Sequence, residues 1–306
     1  MTRSDHPRPA SLAVVVLTFN EERNLRACLD SVADWAGRIF VVDSGSTDAT
    51  VAIAREFRAE VVTNPFETHA RQWRWALATL PLDTDWVLGL DADQRVTPEL
   101  RDEITALLAS GTSVDGAFVR RRQIFRGRWI KHGGYYPKYL LMLFRREHVS
   151  VDDSDLVDHH FIVNGPVVKL CGDIVEDNLN EAEISTWTAK HNRYAVLQAK
   201  QELRHRAEPV TWVAAFGSPD LRVRWLKQLW GRLPLFVRPC LYVFYRYVLR
   251  LGFLDGKQGL IFHVLQAFWY RLLVDINIDE LRDGGSTIPA ARAPKPTEGL
   301  VGEDIR

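Results

Sequence analysis

The sequence is poor in the features that mark several large classes of protein. Its three cysteines in 306 residues are far apart and not in metal-ligand spacing, which favours a reducing compartment over a disulfide scaffold. Basic and acidic residues number 39 each, and the resulting net charge of zero argues against nucleic-acid binding through bulk positive charge. No internal repeat is visible. With 46% hydrophobic residues, the chain is expected to be globular with a sizeable core.

No apolar run is long enough for a secretion signal or a comfortable membrane span. The run Leu12–Leu17 is too short for a signal peptide, so we expect no secretory signal. Residues 1–11 and 283–306 are polar or rich in Gly, Pro and charge, and are predicted to be disordered. Residues 233–254 and 259–274 are strongly apolar but interrupted by Arg, Pro, His or Gln, so neither is expected to span a membrane.

The first hundred residues alternate between two hydrophobic patterns. Four stretches are apolar and rich in β-branched residues, as buried strands are: 12–19, 38–44, 59–63 and 85–91. Four others have helical spacing or helix-capping residues: 22–34, 49–57, 70–80 and 99–109. This alternation predicts an α/β fold with βαβ units and a mostly parallel sheet flanked by helices.

The rest of the chain changes character twice. Short β-rich pieces occupy about 115–175, and a long helix is predicted over 181–206. Residues 221–250 then hold seven basic residues, seven aromatic residues and no acidic one. We therefore predict amphipathic helices over 207–282 that lie in the headgroup region of an anionic membrane. The alternative is a helical subdomain that packs on the preceding residues or in a dimer.

Three of the predicted strands end in clusters of acidic, amide and hydroxyl residues. These clusters are residues 18–22, 43–48 and 91–93. Ligands of parallel α/β sheets bind beyond the carboxyl ends of the strands, so the three clusters are expected to share one crevice. No GxGxxG or GxxxxGK[ST] motif accompanies them, which excludes the usual dinucleotide and P-loop sites.

The carboxylates in this crevice each have two interpretations. Asp91 and Asp93, two apart on an extended chain, project to the same side and suit Mg²⁺ or Mn²⁺ bridged to substrate phosphates. Otherwise they are solvated loop ends or helix caps. Asp43 either contacts the N–H edge of a nucleobase or serves as the Asx-turn residue of its loop.

Several segments together resemble a known family. Residues 12–32, 39–54 and 85–93 resemble the nucleotide-sugar-binding half of a family 2 glycosyltransferase with the GT-A fold, which is Rossmann-like. Residues 120–146, 157–177 and 253–270 resemble the branch of lipopolysaccharide-core and exopolysaccharide glucosyltransferases. The resemblance covers about 12–280 and is specific for fold and reaction type, but not for the sugar.

The resemblance implies transfer of a sugar from a nucleoside-diphosphate sugar to an acceptor hydroxyl, with inversion. It divides a catalytic domain, 12–206, into a nucleotide-sugar half (12–110) and an acceptor half (111–206), followed by the membrane-associated helices of 207–282. The acceptor is expected to be a saccharide or a lipid-linked sugar of lipopolysaccharide or another cell-surface polysaccharide. The protein is expected to be cytoplasmic and peripheral on the inner face of the cell membrane.

Site residues follow from the resemblance one by one. Asp91 and Asp93 match the site of the metal, Mg²⁺ or Mn²⁺, and the diphosphate. The predicted donor-nucleotide contacts are Thr18, Asn20, Glu21, Asp43, Ser44, Gln72 and Asp91.

The catalytic base is the main departure from the family pattern. Residues 157–165 stand where the family has VHExLxVxG, so that His159 replaces the expected Glu and Asp158 precedes it. Asp158 or His159 is the predicted base, and Glu176 or Asp177 is the alternative. A further interpretation is that the histidine pair beginning at His159 only ends a strand at the surface.

Two other functions stay open at this point. The first is a binding or assembly protein that keeps the fold but transfers no sugar, and it is favoured only by the unusual residues at 158–159 and 176. A nucleotidyltransferase also uses acidic clusters on an α/β sheet, but it would need a Gly-rich loop with Lys or Arg after the first strand, where this chain has TFNEER.

Overall fold

The computed structural model describes residues 12–152, 159–206, 225 and 229–283. The ends predicted to be disordered, 1–11 and 283–306, lie outside the described residues apart from Asp283. Most of 207–228, the start of the predicted amphipathic region, also lies outside them.

The first part of the chain has the predicted alternation of strands and helices. The strands are β1 (Leu12–Thr18), β2 (Arg38–Asp43), β3 (Glu60–Thr63) and β4 (Trp86–Asp91). The helices are α1 (Leu25–Asp30), α2 (Thr50–Glu56), α3 (His69–Thr79) and α4 (Pro98–Ala109). Side-chain caps start two of them, because Thr68 and Thr97 accept hydrogen bonds from backbone N–H groups in the first turns of α3 and α4.

The next part is rich in strands, as predicted, and ends in one long helix. The strands are β5 (Gln94–Val96), β6 (Gly116–Phe125), β7 (Arg128–Trp129), β8 (Lys138–Arg145), β9 (Val149–Asp152), β10 (His160–Val163) and β11 (Val167–Glu176). Helix α5 (Ile184–Arg206) agrees with the predicted long helix.

One sheet organises both parts of the chain. Among the described residues its strands run in the order β3-β2-β1-β4-β8-β6-β11-β5, with β7 on β6, while β9 and β10 form a separate hairpin. The predicted parallel arrangement is confirmed for β3, β2, β1 and β4. The other half of the sheet is mixed, since β8 is antiparallel to both its neighbours and β5 is antiparallel to β11.

Both faces of the parallel half are covered, which explains its continuous apolar strands. Leu12, Val14 and Val16 of β1 belong to the core cluster that includes residues of α1 and α4. The alternate residues of β1 belong to a second cluster together with Trp73 of α3 and Phe161 of β10. The carboxyl ends of β1, β2 and β4 are therefore held rigidly between two packed layers.

Close packing on β4 yields a stability prediction. A Cβ atom on Gly89 would lie 2.8 Å from the ring of the fully buried Trp73, so we expect Gly89→Ala to lower the free energy of unfolding by about 1–3 kcal/mol. Gly231→Ala is the control, because its Cβ would meet no atom closer than 3.8 Å. Urea unfolding of both variants tests this. Equal midpoints would contradict the packing argument.

Helices form the last described part of the chain. They are α6 (Arg238–Phe244), continued by a π-helical turn (Tyr245–Leu249), then α7 (Gly256–His263), a second π-helical turn (Val264–Trp269) and α8 (Tyr270–Arg282). Within the described residues one helix, Gly252–Arg282, is by length and composition able to cross a membrane.

This helical region is attached to the preceding residues, 12–206, by packing and by a backbone hydrogen bond. Val274 and Ile278 of α8 pack with Ala195 and Ala199 of α5. The backbone N–H of Gly133, in the loop between β7 and β8, donates to the carbonyl of Arg250 at 2.9 Å. The helices therefore pack on the preceding residues through one face, as the alternative interpretation expects.

Candidate active site

The register of the parallel strands brings the three predicted clusters to one edge of the sheet. Thr18 pairs with Asp43 across β1 and β2, and Leu17 pairs with Asp91 across β1 and β4. Since β1 lies between β2 and β4, the backbones of Asp43 and Asp91 are two strand spacings apart, about 10 Å. A nucleoside diphosphate is long enough to contact both ends of this edge.

Asp43 is buried and its carboxylate is already engaged in its own loop. It accepts hydrogen bonds from the backbone N–H groups of Gly45 and Ser46 at 3.0 and 2.9 Å, and from the hydroxyl of Thr18 at 3.3 Å. The turn role that the sequence left open is therefore present. A carboxylate has further lone pairs, so Asp43 can still accept a hydrogen bond from a nucleobase. That contact stays a prediction, and the loop fixes the orientation of the carboxylate that would make it.

The loops after β1 and β2 are tied to each other. The backbone N–H of Asn20 donates to the Ser46 hydroxyl at 2.8 Å, and the Thr47 N–H donates to the Asn20 side-chain oxygen at 2.8 Å. The N–H of Glu21 donates to Thr50 at 2.7 Å. Asn20 has a φ of 54°, a left-handed conformation that asparagine tolerates better than most residues.

Ser44 and Gln72, two of the predicted contacts of the nucleotide sugar, lie beside each other. Gln72 lies on α3 with its side chain buried, and its amide N–H groups donate to the Ser44 hydroxyl at 3.2 Å and to the Asn64 carbonyl at 3.1 Å. The Asn64 side chain donates back to Gln72 at 2.7 Å. Helix α3 is thereby anchored beside the Asp43 loop.

The Asp91–Asp93 turn collects carboxylates. Burial raises the pKa of Asp93 well above its ordinary value, and the neighbouring charges of Glu176, Asp91 and Glu21 raise it further. Burial likewise raises the pKa of Glu21 to about 7, although a hydrogen bond from Asn24 opposes this shift. Ionisation of all these carboxyl groups together is therefore unfavourable unless a cation lies beside them.

This chemistry fits a divalent cation whose remaining ligands come from substrate and water. Two carboxylates, Asp91 and Asp93, offer the hard oxygen atoms that Mg²⁺ and Mn²⁺ prefer, and a cation would relieve the repulsion around Asp93. In the part of the chain that the structure describes, no three His, Cys, Asp or Glu side chains are grouped to hold a metal by themselves. The diphosphate of a substrate is the natural source of the missing ligands.

Of the two predicted bases, only His159 lies in the part of the chain that the structure describes, and Asp158 lies outside it. His159 is half-buried, its ring stacked on His69 with centroids 5.6 Å apart and placed 5.6 Å from the Trp73 ring. Trp73 covers Gly89, which lies on the same face of β4 as Asp91. His159 therefore belongs to an aromatic cluster on the Asp91 face of the strand, whereas His160 begins β10 and is exposed.

Glu176 and Asp177 lie at the end of β11, where antiparallel pairing with β5 brings them to the same turn. Gln94 donates from one side-chain nitrogen to Glu176 at 3.2 Å and lies 3.5 Å from an Asp91 carboxylate oxygen. Arg121 binds Glu176 at 3.2 Å, and Arg95 binds Asp177 at 2.9 Å. Both alternative bases are thus held in ion pairs.

Sequence analysis missed the segment that follows β11. The Asn180 side chain donates to the carbonyl of Asn20 at 3.0 Å and to Glu21 at 3.1 Å, and the N–H of Leu179 donates to Asn24 at 2.9 Å. The signal was present, because Asp-Asn-Leu-Asn-Glu follows a strand end just as the other three clusters do.

Comparison with known proteins agrees with this geometry. Residues 13–162 match the family model Glycosyl transferase family 2. The lipopolysaccharide core biosynthesis glycosyltransferase LpsC of Rhizobium meliloti is 28% identical over 232 residues, which are 72% of this chain and 82% of the relative. An uncharacterized glycosyltransferase of Rickettsia felis is 35% identical over 99 residues, 32% of this chain and only 34% of the relative.

Solved structures align more distantly. Staphylococcus aureus TarS (residues 1–349) aligns with 90% of this chain and 93% of its own at 13% identity and a TM-score of 0.42. Glucosyl-3-phosphoglycerate synthase of Mycobacterium tuberculosis, in complex with Mn²⁺ and UDP-glucose, aligns with 62% of this chain and 78% of its own at 17% identity and a TM-score of 0.41. These values are too low to equate individual residues.

The sheet, its strand-end carboxylates and the family match define a glycosyltransferase with the GT-A fold. Residues 13–162, just under half of the chain, match glycosyltransferase family 2, which confirms the predicted resemblance for this part of the chain.

Proposed function

We propose that the protein transfers a sugar, with inversion, from a nucleoside-diphosphate sugar to an acceptor hydroxyl in the synthesis of lipopolysaccharide or another cell-surface polysaccharide. The proposal is carried by one observation: Asp43 and Asp91 lie at the aligned carboxyl ends of β2 and β4, on either side of β1. The similarity to LpsC, a lipopolysaccharide core glycosyltransferase, supports the class of acceptor.

Each side chain has a place in this reaction. Asp43 contacts the nucleobase. The nucleotide-sugar donor is lined by Thr18, Asn20, Ser44 and Gln72. Asp91 and Asp93 would hold a divalent cation beside the diphosphate. When bound, that cation neutralises the negative charge that develops on the departing diphosphate.

The base acts from the side of the sugar opposite the diphosphate. Asp158 or His159 accepts the proton of the acceptor hydroxyl as its oxygen bonds to the anomeric carbon. The bond between that carbon and the diphosphate oxygen breaks at the same time, so the configuration inverts and the nucleoside diphosphate leaves.

A thermal-shift and hydrolysis screen tests the donor. UDP-, GDP- and dTDP-sugars are offered with and without Mn²⁺, and one of them is expected to raise the unfolding midpoint, because a ligand at 100 times its dissociation constant stabilises the folded state by about 2.7 kcal/mol. EDTA is the control and should abolish the shift. If no nucleotide sugar shifts the midpoint, the proposal is wrong. Donor binding without transfer to any acceptor would favour the non-catalytic alternative.

We further propose that the protein works at the inner face of the cell membrane, docked through the outer face of its carboxy-terminal helices. Among the described residues, twelve of the twenty large apolar side chains with high exposure fall within 236–264. They are Phe236, Val237, Leu241, Phe244, Tyr245, Val248, Leu249, Leu251, Phe253, Leu254, Leu260 and Val264. Monomeric soluble proteins rarely expose such a concentration of apolar surface without a partner.

The charges around this apolar face suit an anionic lipid surface. Arg232, Arg250 and Lys257 are exposed, whereas Asp255, the acidic residue of 229–264, is buried and paired with His132. Docking in the interface is favoured over spanning because α8 packs against α5 and carries the buried Asp275, which pairs with Arg238.

Replacing apolar residues of this face by charge should abolish membrane binding. We expect the double variant Leu249→Glu, Leu254→Glu to lose co-sedimentation with phosphatidylglycerol-containing vesicles, because its two exposed apolar contacts become anionic. Phe66→Glu, an exposed apolar residue of the sheet-bearing part, is the matched control and should bind as the unchanged protein does. Membrane docking would be refuted if the wild-type protein stays monodisperse without detergent and does not co-sediment with the vesicles.

A further inference from the structure

The start of α5 is built into the donor site. The backbone N–H of Asp177 donates to the carbonyl of Asp93 at 3.0 Å, so the chain leaves β11 directly beside the Asp91–Asp93 turn. The next residues then bind the loop after β1, where the Asn24 side chain donates to Asn178 at 3.2 Å. The first turns of α5 are consequently fixed relative to both the turn and Glu21.

Lys190 projects from α5 into this network. Its ammonium group forms an ion pair with Glu181, while Asn178 donates to the same Glu181 oxygen at 3.1 Å. Since Asn178 contacts Asn24, and Asn24 donates to Glu21 at 2.6 Å, a chain of polar contacts joins Lys190 to the donor-site loop. The Lys190 side chain is 35% exposed and that of Glu181 is 15% exposed, so the lysine lies on the open side of the pair.

The positive charge of Lys190 also acts on the loop after β1, because it lowers the pKa of Glu21 in opposition to the burial that raises it. The neighbouring guanidinium groups are committed elsewhere, because Arg121 binds Glu176 and Arg95 binds Asp177. Lys190 is also paired with a carboxylate, that of Glu181, but its ammonium group is a single compact charge on a flexible stem.

We propose that Lys190 is a contact for the diphosphate of the donor, with Glu181 and Asn178 as the residues that position it. This inference rests on the proposed function, in which Asp91 and Asp93 face the same diphosphate. The diphosphate of a nucleotide sugar carries two negative charges and would lie beside Asp91 and Asp93, so one divalent cation does not offset the negative charge of the phosphates and the carboxylates together. A lysine ammonium is a compact charge well suited to the remaining phosphate oxygens.

The contact should strengthen during the reaction. Negative charge grows on the diphosphate as its bond to the anomeric carbon breaks, so a cation at this position stabilises the transition state more than the bound donor. Removing it is therefore expected to lower kcat as well as to raise KM for the donor.

Calorimetric titration with nucleotides of increasing charge tests the contact. The probes are UDP, UMP and uridine with Mg²⁺, or the matching guanosine or thymidine series if the wild-type protein prefers it. Lys190→Met should weaken diphosphate binding by about 10- to 100-fold, the loss expected for one hydrogen bond to a charged group, and leave nucleoside binding within about threefold. Lys190→Arg should restore most of the diphosphate affinity, and Lys200→Met, an exposed lysine of the same helix, should change nothing.

A purely structural role gives a different pattern. If Lys190 only neutralises Glu181, the double variant Lys190→Met, Glu181→Gln should regain wild-type affinity, whereas a phosphate contact stays lost in it. The Lys190 inference is overturned, and the proposed function is not, if the double variant regains wild-type diphosphate affinity. The same holds if Lys190→Met binds the diphosphate within threefold of wild type. A wild-type protein that binds none of the three nucleoside diphosphates overturns the proposed function with it.

Discussion

Replacing Asp93 by asparagine is expected to lower the transfer rate by about a thousandfold. The variant loses one of two carboxylates at the proposed cation site, and electrostatic stabilisation of a departing diphosphate is worth several kcal/mol, about 4 kcal/mol for this factor. Asp91→Asn should behave in the same way. Initial rates measured over a series of Mn²⁺ concentrations should also show a weaker dependence on the cation in both variants.

The free energy of unfolding of Asp93→Asn should rise while its transfer rate falls. This difference distinguishes a loss of catalysis from misfolding. The pKa of Asp93 is raised in the folded protein, so its ionisation opposes folding once the pH exceeds the carboxyl group's ordinary value of 3.8. In EDTA, the stability of the wild-type protein should therefore fall as the pH rises above about 4 by an increment that Asp93→Asn lacks.

Two results would contradict this assignment. One is a fully active Asp93→Asn variant, and the other is an inactive variant with a lowered unfolding midpoint at neutral pH. Asp102→Asn supplies the control, because Asp102 is an exposed carboxylate on α4 that pairs with its neighbour Arg101. It should leave both the rate and its Mn²⁺ dependence unchanged.

His159→Ala or Asp158→Ala is expected to abolish transfer while donor binding stays intact. A general base contributes about 10²- to 10⁴-fold to the rate, and it contacts the acceptor hydroxyl rather than the nucleotide. Single-turnover rates and the dissociation constant of the donor, measured on the same preparations, check the two halves of this prediction.

The alternative bases provide the comparison. Glu176→Gln and Asp177→Asn each remove one carboxylate from an ion pair, with Arg121 and Arg95 respectively, so we expect them to lower stability more than the rate. Normal turnover in both the Asp158 and the His159 variants would eliminate them as bases. Loss of turnover in Glu176→Gln, at unchanged donor affinity, would transfer the role to Glu176.

The packing of the carboxy-terminal helices explains how a docked protein would present its site. Arg250 and Asp255 contact Gly133 and His132, in the loop between β7 and β8, and Phe262 of α7 packs with Phe125 at the end of β6. The helices thus contact residues of 111–206, the predicted acceptor half, directly. Docking them on a membrane fixes the orientation of this half relative to the lipid surface.

Local sequence patterns were sufficient to predict the parallel half of the fold and the place of its site. Buried strands in βαβ units are apolar throughout, and their carboxyl ends must meet at one edge, so the sequence predicts that Thr18, Asp43 and Asp91 lie close together, as the strand register has them. The hydrophobic period of a strand or helix is a property of a short segment, and alternating strands and helices imply parallel strands. The parallel half of the sheet could therefore be predicted from the sequence.

Pairing between distant segments was decided only by the tertiary structure. The antiparallel pairing of β5 with β11 brings Glu176 to Gln94, 82 residues earlier, and the β9–β10 hairpin carries His159 to the aromatic ring of Trp73. Lys190 reaches the donor-site network from a helix whose sequence shows only helical spacing. Such contacts depend on strand register and on how distant segments cross in the folded chain. The hydrophobic pattern around a residue does not determine which distant segment it contacts.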